Sequence, residues 1–205
     1  MKRRQVIFFV TGLIAGLISV TLGSLESLIG ILGLAYGVGP LFFFAVLGGI
    51  VITGAWRRIQ ADLLRYLAGM VLCTITYVVS MFTFFAVGGF SPNWFGVRPS
   101  ANIIDFRVDV WLGLVAAGIV GASGITLFTF LLTGKWSYSL LRRLMLAGFL
   151  TILVTFMANL PFHNYWSFLG VLLPLGSAIC SCLVGAQIWQ HPEVTRQVAA
   201  TAPTA

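Results

Sequence analysis

Residues 121 to 124 read Gly121-Ala122-Ser123-Gly124, inside the apolar run WLGLVAAGIVGASGITLFTFLL. A serine between glycines leaves room for a substrate, but its hydroxyl is a weak nucleophile until a base within about 3 Å takes the proton. The chain offers His163 and His191 as imidazoles, and Lys2 and Lys135 as amines. In a helix running from near Val110 to near Leu132, Ser123 lies about 20 Å from one end and about 14 Å from the other. His163 falls in the turn NLPFHNYW, His191 follows the last apolar run and Lys2 precedes the first. Lys135 is about 18 Å further along the same axis. None of the four reaches Ser123, so the sequence supplies no catalytic residue.

The four letters resemble the serine motif of the rhomboid intramembrane proteases. That resemblance implies a histidine on the last core span, and SFLGVLLPLGSAICSCLVGAQIW contains none. Helix packing is the other use of such a stretch. Gly113, Ala117, Gly121 and Gly124 fall within about an 80° arc of a helix, and Gly12 and Gly16 form a small-xxx-small pair. Faces of this kind let backbones approach closely, which drives association in lipid where the hydrophobic effect does not. These six residues are the expected packing positions.

Other chemistry is sparse. Cys73, Cys180 and Cys182 all lie in apolar runs. Cys180 and Cys182 point about 200° apart on a helix and cannot share a metal or a disulfide. With no suitably placed histidines or cysteines, neither metal nor haem nor another cofactor is expected. No Gly-x-x-x-x-Gly-Lys phosphate loop is present, so energy input would come from a partner or a gradient. Glu26 is the acid most nearly surrounded by apolar residues, and acids at membrane depth mark ion paths. Its competing role is a hydrated interfacial glutamate between Ser24 and Ser27. Asp105 and Asp109, flanking Arg107, suit the N-terminal dipole of the helix that follows. Hydroxyls and amides remain, of which Tyr77, Ser80, Thr155 and Asn159 join Glu26 as candidate solute-pathway residues. The default role of such groups in lipid is hydrogen bonding to backbone or between helices.

The elements that would hold these residues follow from composition. The 205 residues are 59% hydrophobic and 8% charged, with mean hydropathy +1.02. Soluble domains carry about 25% charged residues, so this chain cannot cover a water-facing surface. Six apolar runs are long enough to span a bilayer: near Val6–Leu22, Val38–Ala55, Leu67–Val87, Val110–Leu132, Leu144–Leu160 and Phe168–Trp189. The expected fold is an all-α, six-helix membrane bundle. Ten of the 12 basic residues (Lys2, Arg3, Arg4, Arg57, Arg58, Arg65, Lys135, Arg142, Arg143, Arg196) fall on one side of six crossings, and Arg98 and Arg107 on the other. The positive-inside rule places both termini in the cytoplasm. The pI near 9.9 reflects this topology and calls for no nucleic-acid partner. Trp56, Trp136 and Trp189 fall at inner ends and Trp94, Trp111 and Trp166 at or near outer ends, as interfacial rings should. The Met1-Lys-Arg-Arg start resembles a signal peptide, but the apolar core is too long and Thr21-Leu22-Gly23 is a poor cleavage site.

Residues 1–189 read as one membrane domain and 190–205 as a short disordered cytoplasmic tail. The largest outer loop, GGFSPNWFGVRPSANIIDFRVD, carries the turn signals. The apolar linker GSLESLIGILGLAYGVG suggests that span 1 runs long and tilted to about Gly30, with a re-entrant segment as the alternative. A shift of 101 residues maps Val6, Leu41 and Leu67 onto Arg107, Arg142 and Phe168, the spacing of an inverted repeat. Pro174 should kink span 6. Two functional classes follow: a small-solute transporter or membrane-embedded subunit of a transport system, and a non-catalytic accessory subunit packing against a larger membrane complex. The expected partners are the bilayer of the cytoplasmic membrane and other membrane subunits or a second copy.

Overall fold

The computed structural model describes residues 3–23, 28–59, 62–87, 108–159 and 165–190. At 23, 28–37, 63, 85, 108–111, 156, 158, 159 and 165–170 the description covers the backbone. Six α-helices carry these residues: α1 (Arg3–Gly23), α2 (Leu28–Thr53), α3 (Leu63–Val87), α4 (Val108–Thr133), α5 (Tyr138–Asn159) and α6 (Tyr165–Gln190). A short 3-10 turn, Ala55–Arg58, follows α2, and no strand occurs among the described residues. Among the described residues, five helices, α1, α3, α4, α5 and α6, are long and apolar enough to cross a membrane. In α2 the apolar stretch runs from Leu28 to Thr53, with side chains described from Val38 onward. The architecture is that of a multi-pass helical membrane protein, in which each helix satisfies its own backbone polar groups.

The helix ends are set by local chemistry. Asp62 caps α3, its Oδ1 accepting the Leu64 N–H at 3.1 Å and its carbonyl the Tyr66 N–H at 3.1 Å. Ser137 caps α5 in the same way, its Oγ accepting from Leu140 N–H at 3.2 Å. These caps start α3 and α5 ahead of the apolar runs, so Arg65, Arg142 and Arg143 sit on the opening turns of helices. Gly54 and Gly134, both at φ 70°, end α2 and α4 in the left-handed region that a side chain disfavours. The Gly134 N–H donates to the Phe130 carbonyl at 2.7 Å, closing α4.

The long, tilted span 1 is not what forms. α1 is described to Gly23, and the apolar residues from Leu28 to Gly39 are the opening turns of α2, with no re-entrant break among them. At 26 residues α2 is about 39 Å long. Pro40 therefore lies well inside a helix, where the sequence had placed it near a start.

Each helix packs against its chain neighbours, and α6 returns to α1, so the six form a closed ring. α1, α2 and α6 build its densest sector. The Phe8 ring, fully buried, is clamped between Gly49 of α2 and Gly185 of α6. Phe43, Val46, Ile50, Phe128, Leu132, Val184 and Ile188 continue that core, and Ala55 and Ile59 of the 3-10 segment plug its end. Because Ile59, Leu132 and Ile188 meet in one cluster, the end of α4 shares a face of the bundle with the ends of α2 and α6.

Candidate functional site

Inside the ring, α2 to α6 leave a cavity of about 300 Å³. Its walls are small because the residues are small: Gly39, Ala117, Gly118, Gly121, Gly148 and Gly176 all border it. A Cβ built on Gly118 or Gly148 would meet nothing within 4 Å, so these two glycines face open space. Phe42, Leu114, Ile125, Ile152 and Leu172 supply an apolar lining, with Cys73 and Cys180 beside them. Among the described residues, no Asp, Glu, Lys, Arg or His lines it.

The polar groups at the cavity are hydroxyls, and what distinguishes them is where their protons go. Across the bundle, hydroxyls are spent on their own helix. Thr126, Thr129, Thr133 and Thr151 each donate to the carbonyl four residues earlier at 2.8 Å. Thr74 does the same to Met70 at 3.0 Å. Ser80, like Ser181 on α6, breaks this pattern. Its Oγ is buried, borders the cavity and has no hydrogen-bond partner, a condition that costs about 1–3 kcal/mol unless a ligand or water supplies one. Thr76, Tyr77 and Ser177 also line the space. Ser80 and Thr76 lie one helical turn apart on α3 and face Gly121 and Gly124 of α4 respectively.

Two prolines flank the same volume. Pro40 follows the lining residue Gly39, and Pro174 lies between the lining residues Leu173 and Gly176. Each removes a ladder hydrogen bond and frees the carbonyl four residues earlier.

The structure distributes the sequence's candidates unevenly. Tyr77 and Ser80 border the cavity, whereas Thr155 is fully buried in α5 outside its lining. Glu26 lies outside the described residues, as do His163 and His191, and Asn159 is described by its backbone alone. Gly12 and Gly16 face α6: a Cβ on Gly12 would fall 2.5 Å from the Ser177 carbonyl oxygen, and one on Gly16 would run into the Pro174 backbone. On α4, Gly113 is buried, Ala117 and Gly121 border the cavity, and Gly124 receives the Thr76 side chain. Ser123 is half-buried, points away from that lining and donates to the Ile119 carbonyl at 2.8 Å. Residues that no sequence signal marked, Gly118 and Gly148, shape the cavity most directly. Only the partner across the bundle reveals that they face nothing.

A second polar feature lies at one end of the ring. Trp189, at the end of α6, carries the Arg4 guanidinium 3.6 Å and the Arg58 guanidinium 4.5 Å from its ring centroid. Arg58 Nη1 also donates to the Trp189 carbonyl at 3.4 Å, a favourable place for a cation at a helix C-terminus. These contacts place the starts of α1 and the ends of α2 and α6 together. The two guanidinium carbons are at most about 8 Å apart, so they repel by at least about 2 kcal/mol at an effective dielectric of 20. The two cation–π contacts, about 0.5–1 kcal/mol each, offset part of that repulsion.

Among the described residues no group of three His, Cys, Asp or Glu side chains gathers as metal ligands would. No protein-family model, curated protein or solved structure matches this chain.

Proposed function

We propose that this chain is a transport component of the membrane that binds a small, uncharged, largely apolar solute in the cavity enclosed by α2, α3, α4, α5 and α6. The observation that carries the proposal is the buried, unpartnered Ser80 Oγ at the edge of an apolar space of about 300 Å³, at the small end of ligand-site volumes. The described wall carries no charged side chain, which disfavours ions. One hydroxyl with Thr76, Tyr77 and Ser177 beside it suits a solute with one or two hydroxyl or carbonyl groups. Six crossings with both termini cytoplasmic accompany this reading. Its support is the gathering of Arg3, Arg4, Arg57, Arg58, Arg65, Lys135, Arg142 and Arg143 near the starts of α1, α3 and α5 and the ends of α2 and α4, combined with the positive-inside rule. The accessory-subunit alternative drew on small-residue faces. Those of α1 and α4 are turned inward against α6 and α3, which weakens its basis.

The test is to purify the chain in mild detergent and identify co-purifying small molecules and subunits by mass spectrometry. Wild-type protein should carry a neutral small molecule that Gly118→Leu, which fills the cavity, does not. Equal recovery from both proteins would refute a cavity-bound solute.

A further inference from the structure

We infer that the cavity is filled sideways from the bilayer, through a slot between α4 and α5, by a neutral single-chain lipophile with a hydroxyl or carbonyl at its head. This route rests on the cavity being a solute site, as proposed above, and adds the way in and the class of solute. Among the described residues, contact closes the other seams that bound the cavity. A Cβ on Gly39 would run into the Thr74 backbone between α2 and α3, and the Thr76 side chain of α3 fills the place left by Gly124 of α4. Between α5 and α6, a Cβ on Gly176 would touch the Thr151 methyl at 3.9 Å. Phe128 meets Phe42 and Phe43 edge to face and packs the end of the cavity that adjoins the core.

The seam between α4 and α5 closes near its connected end, where Ala122, Leu140 and Leu144 form one buried cluster. One turn further along each helix, the same faces carry Gly118 and Gly148. Both border the cavity, both are half-buried, and a Cβ on either would meet nothing within 4 Å. The side chains that would shut the seam at this level are missing. Gly118 lies about 22 Å and Gly148 about 15 Å from the connected ends of their helices. Both helices are long and apolar enough to span a membrane, so the slot stands at hydrocarbon depth. Ile119 and Phe149, the next residue on each helix, are exposed. No charged residue occurs from Val110 to Gly134 or from Leu144 to Asn159. What lies outside the slot is therefore acyl chain. A tail lying in the slot leads its head to Ser80, whose unpartnered Oγ is 3.5 Å from the position of a Cβ on Gly121. Gly121 is about one turn from Gly118 on the inner face of α4. A phosphate or ammonium head would lose its hydration there without a counter-charge, which excludes phospholipids and favours a neutral head.

Photolabelling of the full chain in liposomes separates entry from the bilayer from entry from water. Two diazirine probes share a hydroxyl head: hexadecanol, which partitions into the bilayer, and butanediol, which stays in water. Adducts are mapped by peptide mass spectrometry. Hexadecanol should label Thr76, Ile152 and Cys180 on the cavity wall. Excess unlabelled hexadecanol should remove these adducts and spare those on the exposed Val71 and Ile75 of α3. Butanediol should leave the wall unlabelled. Wall adducts from butanediol alone would overturn entry from the bilayer and leave the cavity standing as a solute site filled from water. No wall adducts from either probe would overturn the slot and the solute site together. Should both probes label the wall, Gly148→Leu decides. Loss of the hexadecanol adducts with the butanediol adducts retained supports the slot, and an equal loss of both overturns it. If Gly148→Leu does not fold, Gly118→Leu, on the other wall of the slot, takes its place.

Discussion

Glycine serves opposite purposes on the two sides of this bundle. On the α1 side, Gly12 and Gly16 abut the backbone of α6, and Gly49 and Gly185 close on the two faces of Phe8. On the α4–α5 side, Gly118 and Gly148 abut nothing and border a cavity. One residue type thus gives contact in one sector and empty volume in the other. In lipid, where apolar side chains gain little by leaving the tails, close backbone contact is a main source of helix association. The α1–α2–α6 sector is therefore the one expected to hold the fold, and the α4–α5 side the one free to carry a solute.

The largest expected effect comes from the contact sector. Gly16→Ala adds one methyl group where the Pro174 backbone stands, and backbone cannot move aside as a side-chain tip can. Overpacking costs about 1–3 kcal/mol where side chains absorb it, so a backbone clash should reach about 3 kcal/mol or more. Thermal unfolding in detergent should show a clearly lowered midpoint or no folded protein. A wild-type midpoint would mean that α1 and α6 are not in close contact.

Phe8→Ala should rank next. The ring is fully buried between two glycines that cannot expand to fill the space it leaves. A loss of about 2–4 kcal/mol is expected from the cavity and the lost dispersion contacts. Stability unchanged within about 0.5 kcal/mol, in the same unfolding assay, would show that the sector collapses around the gap and is not rigid.

Much of this division is invisible in the sequence, for a physical reason. Long apolar runs report helices, because a bilayer demands about 20 such residues whatever their neighbours. Thus α1, α3, α4, α5 and α6 are legible. Hydropathy reports the apolar stretch and not the hydrogen-bonded ends, so the early starts of α3 and α5 were missed even though Asp62 and Ser137 stand at capping positions. The opening of α2 was missed because Gly30, Gly33, Gly37 and Pro40 read as linker residues, yet a helix in lipid tolerates them. At the site, helical spacing grouped Gly113, Ala117, Gly121 and Gly124 on one face. It could not say that Gly124 would meet a threonine while Ala117 bordered a void. Phe8 carried no signal at all, since its environment is made by glycines 41 and 177 residues away.

A smaller effect, of reversed sign, sharpens the contrast. Gly148→Ala puts the same methyl group where nothing lies within 4 Å, and alanine favours a helix over glycine by about 0.8–1 kcal/mol. The variant should be more stable than wild type by up to about 1 kcal/mol. Opposite shifts of the unfolding midpoint for Gly16→Ala and Gly148→Ala would establish the two sectors with one chemical change. A loss at Gly148 would show that α5 packs tightly there and that the cavity closes in the membrane.

The smallest effect belongs to the serine whose setting first suggested chemistry. The Ser123 hydroxyl donates to the Ile119 carbonyl of its own helix at 2.8 Å, and that carbonyl already accepts a ladder hydrogen bond. Such back-bonding contributes little and slightly favours bending of the helix. Ser123→Ala removes it without opening a cavity, so stability should change by less than about 0.5 kcal/mol, and retention of a small molecule should match wild type. Ser80→Ala makes the instructive partner, because it deletes a hydroxyl that no carbonyl engages. It should leave stability unchanged or slightly raised and weaken solute retention. If Ser123→Ala abolished retention and Ser80→Ala did not, the functional face of α4 would lie on the side turned away from the cavity, and the division between a packed and an open sector would have to be redrawn around it.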